Sequence, residues 1–225
     1  FKRGIINGHK FVDLGLPSGL LWATCNVGAS KPEEYGGYYA WGETATKSSY
    51  TKENSITYSK QIGNIASNST YDVASKEWGG IWRLPTKKEF QELIDNCTWT
   101  WITQNGHNGY KVTSTKNGNS IFLPAAGSRS GTSLNDQGTC GGFWSATPDE
   151  SNYAEFLYFY DGDHYVVWSS RCNGYCVRPV CTLGGESQME TEYAAEQQRL
   201  AKEAAEKAEQ ERIAAERKAK EEAER

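Results

Sequence analysis

Histidine and methionine are the scarcest side chains here, three and one among 225 residues. His9, His107 and His164 are scattered along the chain. No Gly-x-Ser-x-Gly elbow and no phosphate-cradling Gly-rich motif is present, so no nucleophile is matched to a base. No run of about 20 apolar residues exists, which leaves no membrane-spanning helix and predicts no direct membrane insertion. Charge of one sign is also lacking over most of the chain. Residues 186–225 carry 12 acidic and 8 basic side chains, which accounts for the whole net charge of −4 and leaves residues 1–185 formally neutral. A neutral body has no electrostatic footprint for nucleic acid.

What is there divides the chain in two. Residues 1–185 hold all eight Trp, all six Cys and twelve of thirteen Tyr. That length suffices for one compact domain burying roughly 70% of its unfolded surface. Six Cys are too few for a disulfide scaffold; bridges, with fifteen pairings to choose from, and free thiols both stay open. The chain opens on Phe1 without Met, as expected of a processed or truncated piece.

Turn signals recur along the body, among them Asn7-Gly8, Asn105-Gly106, Asn117-Gly118, Asp161-Gly162 and Asn173-Gly174. Short strands fit between them at 109–114, 120–124, 154–159 and 165–169. The first two read as a hairpin. Thr86 and Glu89 form a capping box, followed by Phe90, Leu93, Ile94 and Cys97 on one helical face. Residues 44–76, rich in Ser, Thr, Asn and Lys, read as a long loop without a core pattern. One clear helix among short, mostly antiparallel strands and long loops predicts an α+β fold.

The most informative stretch runs from Gly138 to Val180. Its anchors are Phe143-Trp144-Ser145, Leu157-Tyr158-Phe159 and Val177-Arg178-Pro179-Val180. Between them lies a chemically mixed set without catalytic logic, aromatics interleaved with small polar residues, as binding surfaces are. The candidate ligand-binding residues are Cys140, Phe143, Asp163, Tyr165, Val167, Trp168, Ser169, Ser170, Cys172 and Asn173. The alternation from Asp163 to Ser169 places Asp163, Tyr165, Val167 and Ser169 on one strand face. Trp22, Trp41, Trp82 and Trp144 are expected in the core and Arg178 as a buried anchor.

Arg83-Leu84-Pro85-Thr86-Lys87-Lys88-Glu89-Phe90 resembles the segment that opens a helix in the formylglycine-generating-enzyme superfamily. Phe11–Gly19, Leu21–Gly28, Tyr39–Glu43, Leu123–Gly127 and the Val177–Val180 ending resemble the Fibrobacter major paralogous domain of Bacteroidetes proteins. The resemblance covers about residues 8 to 181. It implies a C-type-lectin-like domain over 1–185 that binds a protein or glycan without catalysis. It also implies display at a bacterial cell surface, in the extracellular space or on a phage particle. Some members are variable proteins of diversity-generating retroelements, and the mixed set falls where their variable positions lie. Such regions usually end the protein, whereas 40 residues follow here.

Three other chemistries compete with this reading. The superfamily's oxidases use a Cys pair, which Cys172 and Cys176 suggest, with Arg171 and Arg178 as electropositive neighbours. The flanks and spacing differ from that enzyme's. Zinc on His164, Cys172, Cys176 and Cys181 departs from the usual ligand spacing, and neither Leu134-Asn135-Asp136 nor Thr147-Pro148-Asp149 reproduces a lectin calcium motif. No metal or other cofactor is therefore expected, and the alternatives are an oxidase-like activity or a structural assembly module. Residues 186–225, rich in Ala, Glu, Lys and Arg, predict a long C-terminal helix as a stalk or weak coiled coil, with self-association through it. Glu203 with Lys207 and Glu216 with Lys220 supply favourable pairs.

Overall fold

A computed structural model describes residues 3–182 and, in the tail, 199, 202, 205–210 and 212. The chain divides into two compact units, Phe1–Leu183 and Gly184–Arg225. In the first, antiparallel strands β1 (Arg3–Ile6), β2 (His9–Asp13) and β3 (Leu21–Ala23) join β12 (Val180–Cys181) in one sheet. A second sheet orders β4 (Cys97–Gln104), β5 (His107–Ser114) and β6 (Ser120–Pro124). β7 (Ser128–Ser130) pairs with β8 (Ser133–Asn135). A second three-stranded sheet places β10 (Tyr153–Tyr160) between β11 (Asp163–Ser170) and β9 (Cys140–Pro148).

Helix α1 is Val73–Trp78 and α2 is Lys87–Asn96. The capping box at Thr86 and Glu89 is formed in both directions, and Arg83 closes it with a 2.7 Å contact to Glu89. Phe90 and Leu93 carry α2 into a core with Trp22, Phe143, Leu157 and Phe159. Cys97, expected on the helix face, instead begins β4, where Trp99 and Trp101 alternate with exposed Thr98 and Thr100. The Val112–Ile121 pairing of the expected hairpin is present.

The expected α+β class with a long C-terminal helix is overturned. Among the described residues the structure is mostly β, 39% strand against 13% helical. The longest helix among the described residues has 10 residues, and the helical tail residues 205–210 number six. Helix propensity without an apolar face to pack is marginal, so Ala, Glu, Lys and Arg alone do not specify a long helix. The coiled coil therefore has no support. Glu203, Glu216 and Lys220 lie outside the described residues, as does most of the stalk.

The segment 44–76 is no coreless loop. Tyr50, Ile65, Val73 and Ala74 are buried, and α1 begins inside it. Buried Asp72 accepts from the backbone N–H of Ser75 at 3.1 Å and of Ser67 and Leu84 at 2.9 Å each. Arg171 donates to the carbonyls of Thr57, Lys60 and Tyr153, and its guanidinium lies 4.2 Å from the Trp41 ring centroid. Trp22, Trp41, Trp82 and Trp144 are all buried. Trp41 donates to Ser145 O, Trp144 to Tyr39 O and Trp82 to Ile6 O, so three of these rings also tie chain segments together.

Two histidines make stability depend on pH. His9 stacks on Trp78 with centroids 3.7 Å apart, and His164 on Trp99 at 4.3 Å. Burial lowers both imidazoles from the ordinary 6.5, although Asp163 pulls His164 the other way. The unfolded chain therefore takes up protons first on acidification. The stability carried by the neutral rings is complete above pH 6.5 and is lost as pH falls below it. Carboxylates with lowered values, Glu89 among them, lose their contribution only below 4.5. The urea midpoint should fall between about pH 7 and about pH 5, and a His9→Phe, His164→Phe double variant should flatten that slope. An unchanged slope in the double variant would rule this out.

Candidate functional site

Eight of the ten candidate residues lie on strands β9 and β11 of one sheet, and Cys172 and Asn173 follow β11. Tyr158 pairs with Tyr165 on β11 and with Gly142 on β9, while Tyr160 pairs with Asp163 and Cys140. Side chains alternate along a strand and paired residues share a face. Cys140, Phe156, Tyr158, Tyr160, Asp163, Tyr165, Val167 and Ser169 therefore point the same way. The opposite face carries Phe143, Leu157, Phe159, Val166 and α2, and it is core.

Of the candidates, Cys140, Asp163, Tyr165 and Val167 come together on the open side. Tyr165 is 39% exposed, and Val167 is half-buried against the Phe156–Tyr175 cluster. Ser169 shares the face, but its hydroxyl is bonded to Tyr175 at 3.1 Å and receives Asn173 Nδ2 at 3.2 Å. Both are thus committed to the structure. Phe143 lies in the core beneath, because its odd position in β9 points it at Leu157. Trp168 and Ser170 lie on the other face; Trp168 is 56% exposed and packs edge-on to Tyr153 at 4.8 Å. Cys172 is buried, its thiol 3.2 Å from the Ser170 hydroxyl.

Two residues outside the candidate set belong to the face as well, Tyr158, taken as an anchor, and Tyr160. Tyr160 is 39% exposed and Tyr158 half-buried, with ring centroids 6.1 Å apart. Tyr158 lies 5.7 Å from Tyr165 and donates its hydroxyl to Cys140 Sγ at 3.2 Å. That hydrogen bond, with burial, holds the Tyr158 phenol well above its usual range; burial, Tyr160 and Asp163 raise Tyr165 too. The Tyr158 and Tyr165 rings are therefore neutral near neutral pH. The signal for Tyr158 and Tyr160 was present in Tyr153–Tyr160: its even positions bear Tyr where the odd ones bear Leu157 and Phe159. A two-residue turn, Asp161-Gly162, closes β10 onto β11, and Gly162 supplies the φ of 108°. Gly142 is needed for a different reason. A Cβ there would sit 2.3 Å from the Tyr175 ring, which stacks on Phe156.

The thiols are placed for packing. All six cysteines are free. Burial pushes Cys176 and Cys181 up to about 12 and Cys97 to about 11. Arg178 pulls Cys176 down, but burial outweighs it. Cys176 is fully buried, and burial holds its thiol in the protonated form. His164, Cys172, Cys176 and Cys181 are not gathered as a zinc set. Among the described residues no three His, Cys, Asp or Glu side chains form a group able to hold a metal.

A family described as a domain of unknown function (DUF8237) matches residues 101–180. The match takes in all three strands of the site sheet. No curated protein and no solved structure matches the chain.

Proposed function

We propose that Phe1–Leu183 is a non-enzymatic ligand-binding module whose ligand rests on Tyr158, Tyr160 and Tyr165 with Cys140, Asp163 and Val167. The observation that carries this reading is the open half of the β9–β11 face. Tyr160 and Tyr165 stay 39% exposed there, although Phe156, one pair further along, is covered by Tyr175. Exposed tyrosines on a rigid sheet offer contact area with little side-chain entropy to lose. The resemblance to the Fibrobacter-type domain supports the same reading and suggests display on a bacterial surface or phage particle, with a protein or glycan as ligand.

Screening the full chain against glycan and surface-protein arrays tests the proposal. Tyr165→Ala should weaken whatever binding is found by more than about 1 kcal/mol, roughly five-fold. The same variant should melt within about 2 °C of the parent, since an exposed ring contributes little to stability. Array binding that survives both Tyr165→Ala and Tyr160→Ala unchanged would move the site elsewhere.

A further inference from the structure

The open face has a charge character as well as an aromatic one. From residue 130 to residue 170 the chain contains no Lys or Arg but six acids: Asp136, Asp149, Glu150, Glu155, Asp161 and Asp163. Three of these six, Asp136, Asp161 and Asp163, are exposed near the tyrosines. Asp163 pairs with Tyr160 across β10 and β11. Asp161 occupies the turn between those strands. Asp136 stands at the mouth of β9, where its carbonyl accepts from the backbone N–H of Cys140 at 2.9 Å.

Glu155 is the acid already neutralised, 2.7 Å from Lys87 on the opposite face. Asp163 has one carboxylate oxygen engaged, by the backbone N–H of His164 at 2.8 Å, which leaves the other for a ligand. The electron-rich faces of Tyr158, Tyr160 and Tyr165 thus stand beside carboxylates that no basic side chain of strands β9 to β11 offsets. Aromatic rings attract cations through their quadrupole, and guanidinium, planar and weakly hydrated, is the cation that stacks best on them.

We propose that this face recognises an arginine side chain on a partner protein, its guanidinium lying against the tyrosine rings and hydrogen-bonded to Asp163 and Asp136. The proposal rests on the binding reading above and adds the chemistry of the ligand. Charge complementarity selects this occupant: an acidic or phosphorylated segment would meet the exposed aspartates with like charge.

The test is titration of the full chain with a capped Gly-Arg-Gly-Arg-Gly peptide, its citrulline counterpart and its glutamate counterpart, followed by heat and by tyrosine ring signals. Citrulline keeps the planar shape of arginine but carries a carbonyl oxygen in place of one NH2 group, so it lacks the charge and some of the N–H donors. The arginine peptide should bind at low salt and shift the Tyr158, Tyr160 and Tyr165 signals. The citrulline peptide should bind at least about ten-fold more weakly, and the glutamate peptide not at all. Asp136→Asn with Asp163→Asn should weaken the arginine peptide by about five-fold or more. Those substitutions keep the fold: Asp136 has a φ of 55°, which asparagine also tolerates, and an asparagine at 163 can still accept from His164 N.

Equal binding of the arginine and citrulline peptides would overturn the cationic ligand while leaving the face intact. So would arginine-peptide binding indifferent to Tyr165→Ala and to the double Asn variant. No binding of the arginine peptide, alongside an array ligand that depends on Tyr165, would sink this inference alone. No dependence on Tyr165 with any ligand would sink both.

Discussion

Replacing Arg178 with alanine should lower the stability of the body by about 3–5 kcal/mol, with a fall in melting temperature of roughly 10 °C. Arg178 is fully buried. Its Nε donates to Asn26 Oδ1 at 2.8 Å, and Nη1 donates to the carbonyls of Ala23 at 3.1 Å and Thr24 at 2.9 Å. Among the described residues no carboxylate pairs with it, and Nη2 is buried without a partner. Burial accordingly pushes the guanidinium down to about 10.

Two opposing terms meet at this residue. Burying the charge costs free energy, while the acceptors of Ala23, Thr24 and Asn26 need donors in a place water does not reach. Alanine removes the donors and leaves a cavity, so both of its effects are unfavourable. Arg178→Met separates them, because it fills the space without charge. The methionine variant should fall between alanine and the parent in urea midpoint. A methionine variant as stable as the parent would show that packing alone accounts for the loss. Lysine should recover less than half, since an ammonium cannot reach all three acceptors in the plane of the fork.

Asp72→Ala should cost about 3 kcal/mol or more, because it strips an acceptor from three backbone N–H groups at once. The carboxylate caps α1 through Ser75 and also holds Ser67 and Leu84, 12 residues further along. Burial raises this carboxyl despite those hydrogen bonds. Asparagine should rescue only part of the loss, since its amide would face N–H groups donor to donor. Denaturant unfolding gives the magnitude, and amide exchange gives the place: Ser67, Ser75 and Leu84 should lose protection together. Loss of protection at Ser75 alone would reduce Asp72 to an ordinary helix cap.

How far these features were legible depends on their range in sequence. The capping box spans four residues and the Asn117-Gly118 hairpin about a dozen, so local pattern sufficed for both. Trp22, Trp41, Trp82 and Trp144 were legible because rings that large sit beside apolar anchors. Asp72 was hidden in a polar stretch, for its partner Leu84 lies beyond α1 and nothing local announces the bond. Residues 97–104 were missed as a strand because Cys97 completed a helical period that ended one residue earlier. Within the site, alternation along β11 correctly grouped Asp163 with Tyr165 and Val167. It gave no warning that Ser169 and Asn173 would be held by Tyr175, or that Phe143 would face the core. Tyr158 was taken for an anchor because it sits between Leu157 and Phe159, yet a strand turns adjacent residues to opposite sides.

One rung of the first sheet has a further consequence. Arg3 pairs with Val12, Val12 with Trp22, and Trp22 with Val180, so the first and last strands meet the same cross-sheet line. Three strand spacings separate them, about 14 Å, a gap that roughly five extended residues bridge. A chain can therefore enter and leave this domain through one narrow doorway. Such a unit tolerates circular permutation, and it can be spliced into a surface loop of another protein without prising that host apart.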